Sequence, residues 1–228
     1  MHKIEIPADL IAQLARARGG KLNRYETLVG PKTALVVIDL QNAFMLPGMP
    51  VEVPAAREIV PNVNRLAAAV RRVGGKVVWV QMTLVDQREA WSVYFNADSR
   101  DAAYDAMIPG SKGYELHAEL DVRKEDLIVE KKRYSAFIQR SSDIDAKLRA
   151  LGIDTVLMTG TLTNVCCESS ARDAMMLNYK VAFVSDANAA LNDTEHNATL
   201  TSIVRVFGDV GSTDEIIARL VPGNVGTA

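Results

Sequence analysis

The segment Ala34-Leu-Val-Val-Ile-Asp39 narrows the fold more than any other. An almost unbroken apolar run of strand length, closed by an acid, reads as a β-strand covered on both faces. Comparable runs recur at Lys76–Met82, Leu127–Glu130, Thr155–Met158 and Val181–Val184, and Gly208-Asp-Val-Gly has room for a short sixth strand. Segments with helical spacing separate them, and strands that alternate with helices imply right-handed crossovers. The expected fold is a three-layer α/β/α arrangement with a mainly parallel six-stranded sheet of Rossmann-like topology.

The helical segments carry their own boundaries. Val63, Leu66, Ala67, Val70 and Val73 repeat at three- and four-residue spacing, with Pro61 suited to the first turn and Gly74-Gly75 to the stop. Ser142 or Asp143 is placed to cap a helix with Ile144, Leu148 and Leu151 on one face, ending at Gly152. Glu168 to Leu177 and Asp193 to Val206 have helical composition, and Thr213 with Asp214 and Glu215 marks a last helix through Leu220. Two segments fall outside the alternation. Residues 1–30 form an N-terminal extension with an amphipathic stretch from Ala8 to Arg18, and a long insert runs from Thr83 to Tyr114 within a single domain spanning 31–228.

Composition removes several function classes. With 26 Lys and Arg against 28 Asp and Glu, the net charge of -2 supplies no positive field for a phosphate backbone, so nucleic acid is not an expected partner. The longest apolar runs, Ala34–Ile38 and Leu66–Val70, fall far short of the ~20 residues that cross a bilayer, so no membrane partner is expected. The N-terminus has no apolar core followed by a small-residue cleavage site, and the expected location is the cytoplasm. Cys166 and Cys167 are adjacent and cannot staple distant segments. The three histidines (His2, His117, His196) stand apart, so neither a metal site nor a cofactor is implied.

Ligands of open α/β sheets bind beyond the carboxyl ends of the strands. Three reactive side chains fall there: Asp39 after the first strand, Lys131 after the third, and Cys166 after the fourth and the turn Gly160-Thr-Leu-Thr-Asn-Val165. Each alone has a plainer reading, as a loop-capping carboxylate, part of a solvated Lys131-Lys132-Arg133 patch, or a compact buried hydrophobe. Cys166, however, stands where a helix begins. An ordinary thiol of pKa ~8.5 at such a terminus, near the ammonium of Lys131, is expected to ionise one or more units lower.

Asp39 in Val-Val-Ile-Asp-Leu-Gln-Asn, Lys131 in Glu-Lys-Lys-Arg-Tyr-Ser-Ala-Phe and Cys166 in Thr-Gly-Thr-Leu-Thr-Asn-Val-Cys-Cys-Glu-Ser-Ser together resemble the isochorismatase-like cysteine hydrolases, from about Thr33 to Leu220. The resemblance implies an Asp39-Lys131-Cys166 triad, with Lys132 pointing away. It implies an oxyanion hole from the backbone N–H groups of Leu162 and Cys166, and a cis peptide at Thr161-Leu162. It also implies a homodimer or homotetramer, for which Leu10, Ile11 and Leu14 offer an apolar stripe.

Within that family, a cysteine nucleophile points to acyl chemistry rather than vinyl ether cleavage. Val85-Asp86-Gln87-Arg88 lacks the histidine that metal-binding nicotinamidases carry there. The pattern Lys131-x-Arg-Tyr-Ser with Thr163-Asn-Val-Cys-x-Glu-Ser is similar to ureidoacrylate amidohydrolases, with biuret, triuret and N-carbamoyl hydrolases as relatives. The expected activity is hydrolysis of an amide C–N bond in a small linear ureido or carbamoyl compound, through an acyl-enzyme on Cys166. Candidate substrate contacts are Gln41, Asn42, Phe44, Gln81 and Tyr134, of which Gln41 and Asn42 have a plainer reading as bonds to loop backbone. Glu168 and Arg172, four apart, read as a structural pair. Two alternatives remain: vinyl ether hydrolysis without the cysteine, and redox or ligand sensing by the Cys166-Cys167 pair.

Overall fold

The computed structural model describes residues 1–85, 87–93 and 101–223. Along the chain lie α1 (Ala8–Ala17), β1 (Leu28–Val29), β2 (Thr33–Ile38), α2 (Asn42–Met45), α3 (Val60–Arg72) and β3 (Lys76–Met82). The insert contributes α4 (Gln87–Ala90) and α5 (Asp101–Ala106), followed by β4 (Leu127–Lys131), α6 (Ile144–Ala150) and β5 (Thr155–Thr161). Then come α7 (Glu168–Met176), β6 (Lys180–Ala189), α8 (Asp193–Ser202), β7 (Asp209–Gly211), α9 (Thr213–Arg219) and β8 (Leu220–Val221).

The main sheet has six strands in the order β4-β3-β2-β5-β6-β7, every neighbouring pair parallel. The period-two alternation of β2 divides the core. Leu35 and Val37 meet Val63, Leu66 and Val70 of α3 and Ile216 of α9 on one face. Ala34, Val36 and Ile38 meet Leu148 of α6, Ala171 of α7 and Leu200 of α8 on the other. Both faces of β2 are fully buried, as its unbroken apolar sequence requires. The three-layer expectation holds.

The structure corrects several boundaries. β5 runs on to Thr161 and β6 to Ala189, past polar residues that end the apolar runs in sequence. Their side-chain donors are satisfied inside the sheet. Thr159 Oγ1 donates to the Val36 carbonyl at 3.2 Å, and Asn188 Nδ2 donates to Met158 and Val184 carbonyls at 2.9 and 2.7 Å. Leu151 is exposed, because α6 ends at Ala150 before that position turns inward. The last helix starts at Thr213, where its sequence signal stands, with Ser212 and Glu215 closing a capping box, and it ends at Arg219, so that Leu220 enters β8.

The N-terminal extension packs on its own chain. Leu10 is 3% exposed, so it is not free for another subunit, while Ile11 and Leu14 are half-buried. The backbone N–H of Glu5 donates to Asn197 at 2.6 Å, and Asn197 donates back to the Lys3 carbonyl at 2.8 Å. Arg24 donates to the Val204 and Arg205 carbonyls at 3.1 and 2.9 Å and also bonds that of Gly208, closing the helical end after α8. β1 pairs with β8 in a separate two-stranded parallel ladder.

Candidate active site

Parallel register delivers three reactive groups to one sheet edge. Ile38 pairs with Val80 and with Gly160, and Met82 pairs with Lys131, so Asp39, Lys131 and the start of the β5–α7 turn emerge side by side. Gly160 has φ 121°, and a Cβ there would lie 2.0 Å from the Ile38 carbonyl oxygen. Only glycine lets β5 lie this close to β2, one residue before Asp39. Asp39 itself turns out of the strand at φ 55°, a left-handed conformation that Asp tolerates better than most residues. Thr161-Leu162 is cis, as the family resemblance implies. A π-helical turn, Thr163–Cys167, then leads into α7 and carries Cys166 in its fourth position.

Lys131 Nζ stands 2.8 Å from Asp39 Oδ2 and 3.4 Å from Cys166 Sγ. It also donates to the Arg133 carbonyl at 3.1 Å and lies 3.3 Å from the Met82 sulfur. Asp39 and Lys131 are fully buried and Cys166 is 4% exposed. Lys132, next in sequence, turns to a different surface with Glu130 and Asp143. Of the two lysines, Lys131 is the one brought beside Asp39 and Cys166.

Electrostatics overturns one expectation. Burial pushes the Cys166 thiol up, the Asp39 carboxylate pushes it further, and the pull of Lys131 does not compensate. The resting cysteine is a protonated thiol, not the lowered thiolate expected of a helix start beside a lysine. Burial also raises Asp39 above the ordinary carboxylate range, opposed by Lys131 and by a hydrogen bond with Cys166. Burial disfavours the Lys131 charge, but Asp39 and Cys166 outweigh it and the net shift is upward. The trio therefore contains an acid, a neutral thiol and a shared ammonium. Moving the proton from Sγ to Asp39 exchanges one buried anion for another, each within reach of Nζ, and leaves the buried net charge unchanged.

Above Cys166 opens a cavity of about 380 Å³, lined by Phe44, Val51, Met82, Leu84, Trp91, Ala103, Met107, Tyr134, Leu162, Val165 and Cys166. Two of the five candidate substrate contacts are here, Phe44 and Tyr134, together with Leu162 of the expected oxyanion hole. Three others are placed elsewhere, which corrects their expected role. Gln41 donates to the Met82 and Tyr114 carbonyls, both at 3.0 Å, and accepts from the Met82 N–H at 2.7 Å. Asn42 donates to the Lys112 carbonyl at 3.0 Å, and Gln81 to that of Tyr114 at 2.8 Å. These amides satisfy buried backbone between strand ends and insert, leaving them as braces outside the cavity lining.

Sequence reasoning missed most of the wall. Met82, at the carboxyl end of β3, obeys the strand-end rule and was accessible to it. Leu84, Trp91, Ala103 and Met107 belong to the insert, whose sequence has no period to declare an inward face. Arg133 holds this segment: it bonds Gln87, donates to the Ala90 carbonyl at 3.3 Å and lies 5.1 Å from the Trp91 ring centre. Trp91 in turn meets Tyr134 edge-on at 5.0 Å.

Behind the nucleophile turn sits another residue that sequence reasoning passed over. His196 is fully buried, its Nδ1 2.9 Å from the Thr163 hydroxyl, and its ring stacks on His2 at 4.4 Å. Burial and then His2 hold its pKa down at about 4, so the imidazole is neutral. Cys167 points into the core, with Sγ 3.8 Å from the Thr159 carbonyl oxygen. Glu168 and Arg172 form the structural pair expected, tied also to Thr199 and Ser202. Among the described residues, no group of three or more His, Cys, Asp and Glu side chains gathers to hold a metal ion, and no helix is long and apolar enough to cross a membrane.

Comparison with known proteins agrees with this geometry. The Isochorismatase domain family matches residues 33–215. The chain is 32% identical over 195 residues to the uncharacterized isochorismatase family protein YwoC of Bacillus subtilis, covering 83% of this chain and 94% of that protein. It is 31% identical over 208 residues to the ureidoacrylate amidohydrolase RutB of Variovorax paradoxus, covering 83% and 82%. Among solved structures it is similar to a cysteine hydrolase from Pseudomonas syringae pv. phaseolicola, with TM-score 0.77, 30% identity and coverage of 86% and 95%. It is also similar to N-carbamoylsarcosine amidase from Thermoplasma acidophilum, with TM-score 0.65, 30% identity and coverage of 80% and 97%.

Proposed function

The chain belongs to the isochorismatase family of hydrolases, and from that premise we propose that it is a cysteine-dependent amidohydrolase that cleaves the C–N bond of small linear amides, ureido and carbamoyl compounds included. The observation that carries the reading is the Lys131 ammonium, 2.8 Å from Asp39 and 3.4 Å from Cys166, whose side chain lines the cavity above.

Asp39 takes the thiol proton as Cys166 Sγ attacks the carbonyl carbon, and Lys131 follows the negative charge from oxygen to sulfur. The tetrahedral oxyanion is received by the backbone N–H groups of Leu162 and Cys166. The C–N bond then breaks, and Asp39 returns the proton to the departing nitrogen. Water, deprotonated by Asp39, attacks the acyl-enzyme, releases the acid and restores the thiol. Nothing in this cycle requires a cofactor.

Ammonia release from ureidoacrylate, biuret, triuret, N-carbamoyl amino acids and simple carboxamides, measured with wild type and Cys166→Ala, tests the reading. Release that vanishes in the variant is the expected outcome. Release that survives it points to amide hydrolysis without the cysteine, and no release of ammonia from any of these compounds by the folded wild type points to a non-acyl reaction such as vinyl ether cleavage. Loss on replacing either sulfur alone points to a redox pair.

A further inference from the structure

The wall above Cys166 has a consistent chemistry. Phe44, Met82, Leu84, Trp91, Met107 and Tyr134 surround the space that the substituent on the scissile carbonyl must occupy. These are aromatic rings, thioethers and an aliphatic chain, and no charged side chain lines the cavity among the described residues. Among the cations whose side chains are described, the two beside the cavity are engaged. Lys131 is held by Asp39 and the Arg133 carbonyl, while Arg133 is turned behind Trp91 toward Gln87 and the Ala90 carbonyl. Gln41, Asn42 and Gln81, the amides that would otherwise bind a carboxylate, donate to backbone carbonyls.

We propose that the substrate is a neutral amide or urea whose substituent is an uncharged apolar group, aliphatic or aromatic, and not an anionic ureido acid. This rests on the amidohydrolase reading and narrows it. A carboxylate placed against these side chains loses its water and gains no counter-charge, whereas an alkyl or phenyl group gains by leaving water and meets polarizable sulfur and ring edges. A cavity of about 380 Å³ lies at the small end of ligand pockets, which run ~300–1,000 Å³, and suits a substituent of about the size of a phenyl or short alkyl group.

The balance of the reaction adds a second consequence. In the amide case the Sγ–C bond forms as the C–N bond breaks, the thiol proton leaves with nitrogen as ammonia, and water supplies the hydroxyl of the acid. The neutral amide therefore becomes a carboxylate beside Cys166, while its substituent stays against the same wall. There the new anion faces the Asp39 carboxylate, whose charge Lys131 already answers, so the product acid should inhibit poorly, with a Ki at least tenfold above the KM of its amide.

The test pairs substrates of like shape and unlike charge: hexanamide against the monoamide of adipic acid, and butylurea against N-carbamoyl-β-alanine. The expected result is a kcat/KM at least 100-fold higher for the neutral member of each pair, with both activities lost in Cys166→Ala. Equal or greater activity on the anionic member, still dependent on Cys166, overturns this proposal and leaves the amidohydrolase reading intact. Calorimetric binding of hexanamide and adipic monoamide to Cys166→Ala reads the preference without turnover. Tighter binding of the anion there overturns the proposal, and tighter binding of the neutral amide supports it even if the wild type hydrolyses neither compound and the amidohydrolase reading fails. Trp91→Lys, at a half-buried wall position, should shift the pair ratio at least tenfold toward the anion, and an unmoved ratio would also count against it.

Discussion

The two sides of the cavity are built from different material. Asp39, Lys131 and Cys166 stand at or just beyond the ends of strands whose neighbours fix them through continuous parallel ladders. Leu84, Trp91, Ala103 and Met107 stand on an insert of short helices, tied to the body by Arg133, by the backbone bond from Thr83 N–H to the Lys131 carbonyl at 2.9 Å and by the edge contact of Trp91 with Tyr134. The contrast is a division of labour. Groups that must hold a reacting atom in place sit on the rigid sheet edge, and groups that choose the substituent sit where sequence can vary without disturbing the ladders.

The sharpest way to break this comparison is to disturb the rigid side. Lys131→Met leaves the fully buried Asp39 carboxylate unpaired, which should cost about 3–5 kcal/mol in urea unfolding and on the order of 10³-fold or more in kcat/KM. Adding Asp39→Asn should restore most of the stability and none of the activity. If the double variant stays as unstable as the single one, the buried pair is not the source of the loss. Because burial raises Asp39 and the base must be ionised, kcat/KM in the wild type should fall with acid at a pH above the ordinary carboxylate value of 3.8. Lys131 is shifted upward from 10.5, so it should not set the alkaline limit.

Next in size is the support behind the nucleophile turn. His196 stays neutral in the folded protein down to about pH 4, against an ordinary value of 6.5. Between those values the unfolded chain binds a proton that the folded chain refuses, so stability is full above pH 6.5 and drains away as pH falls toward 4. This one group accounts for about 3 kcal/mol of that loss. Urea midpoints measured across this window should therefore slope less steeply in His196→Gln than in wild type. Equal slopes would show that His196 is not the titrating group.

The insert side should respond in binding rather than chemistry. Trp91→Ala should raise KM for apolar amides about tenfold while kcat stays within about threefold, since it removes uniform binding and touches no reacting atom. A fall in kcat of the same size would merge the two sides and break the comparison. The smallest effect is expected at Cys167, whose sulfur faces the Thr159 carbonyl. Cys167→Ser should keep kcat/KM within about threefold and cost about 1–2 kcal/mol for a hydroxyl in an apolar setting. Labelling by iodoacetamide should still depend on Cys166.

Legibility followed the same division. Strand positions, the Pro61 start and the Gly74-Gly75 stop were plain, because two-sided burial and chain termination write directly into residue type. Asp39, Lys131 and Cys166 stood out because each lies at or after a strand end, in a motif made of its own neighbours along the chain. The mistakes share a cause. Gln41, Asn42 and Gln81 have the residue types of substrate ligands, yet their amides answer to backbone groups that only the folded insert brings near. Leu10 reads as part of an apolar stripe for a partner, yet it is buried within its own chain, which its local pattern does not reveal.

By itself, then, the sequence determined the layered parallel sheet, the strand ends and the identity of the reactive trio, since local periodicity and motif order are properties of neighbours along the chain. Only the tertiary structure decided the protonated state of Cys166, the bracing role of the buried amides and the apolar character of the wall. Each of those depends on which distant groups share a space without water. Desolvation and counter-charge act through that shared space and leave no local pattern to read.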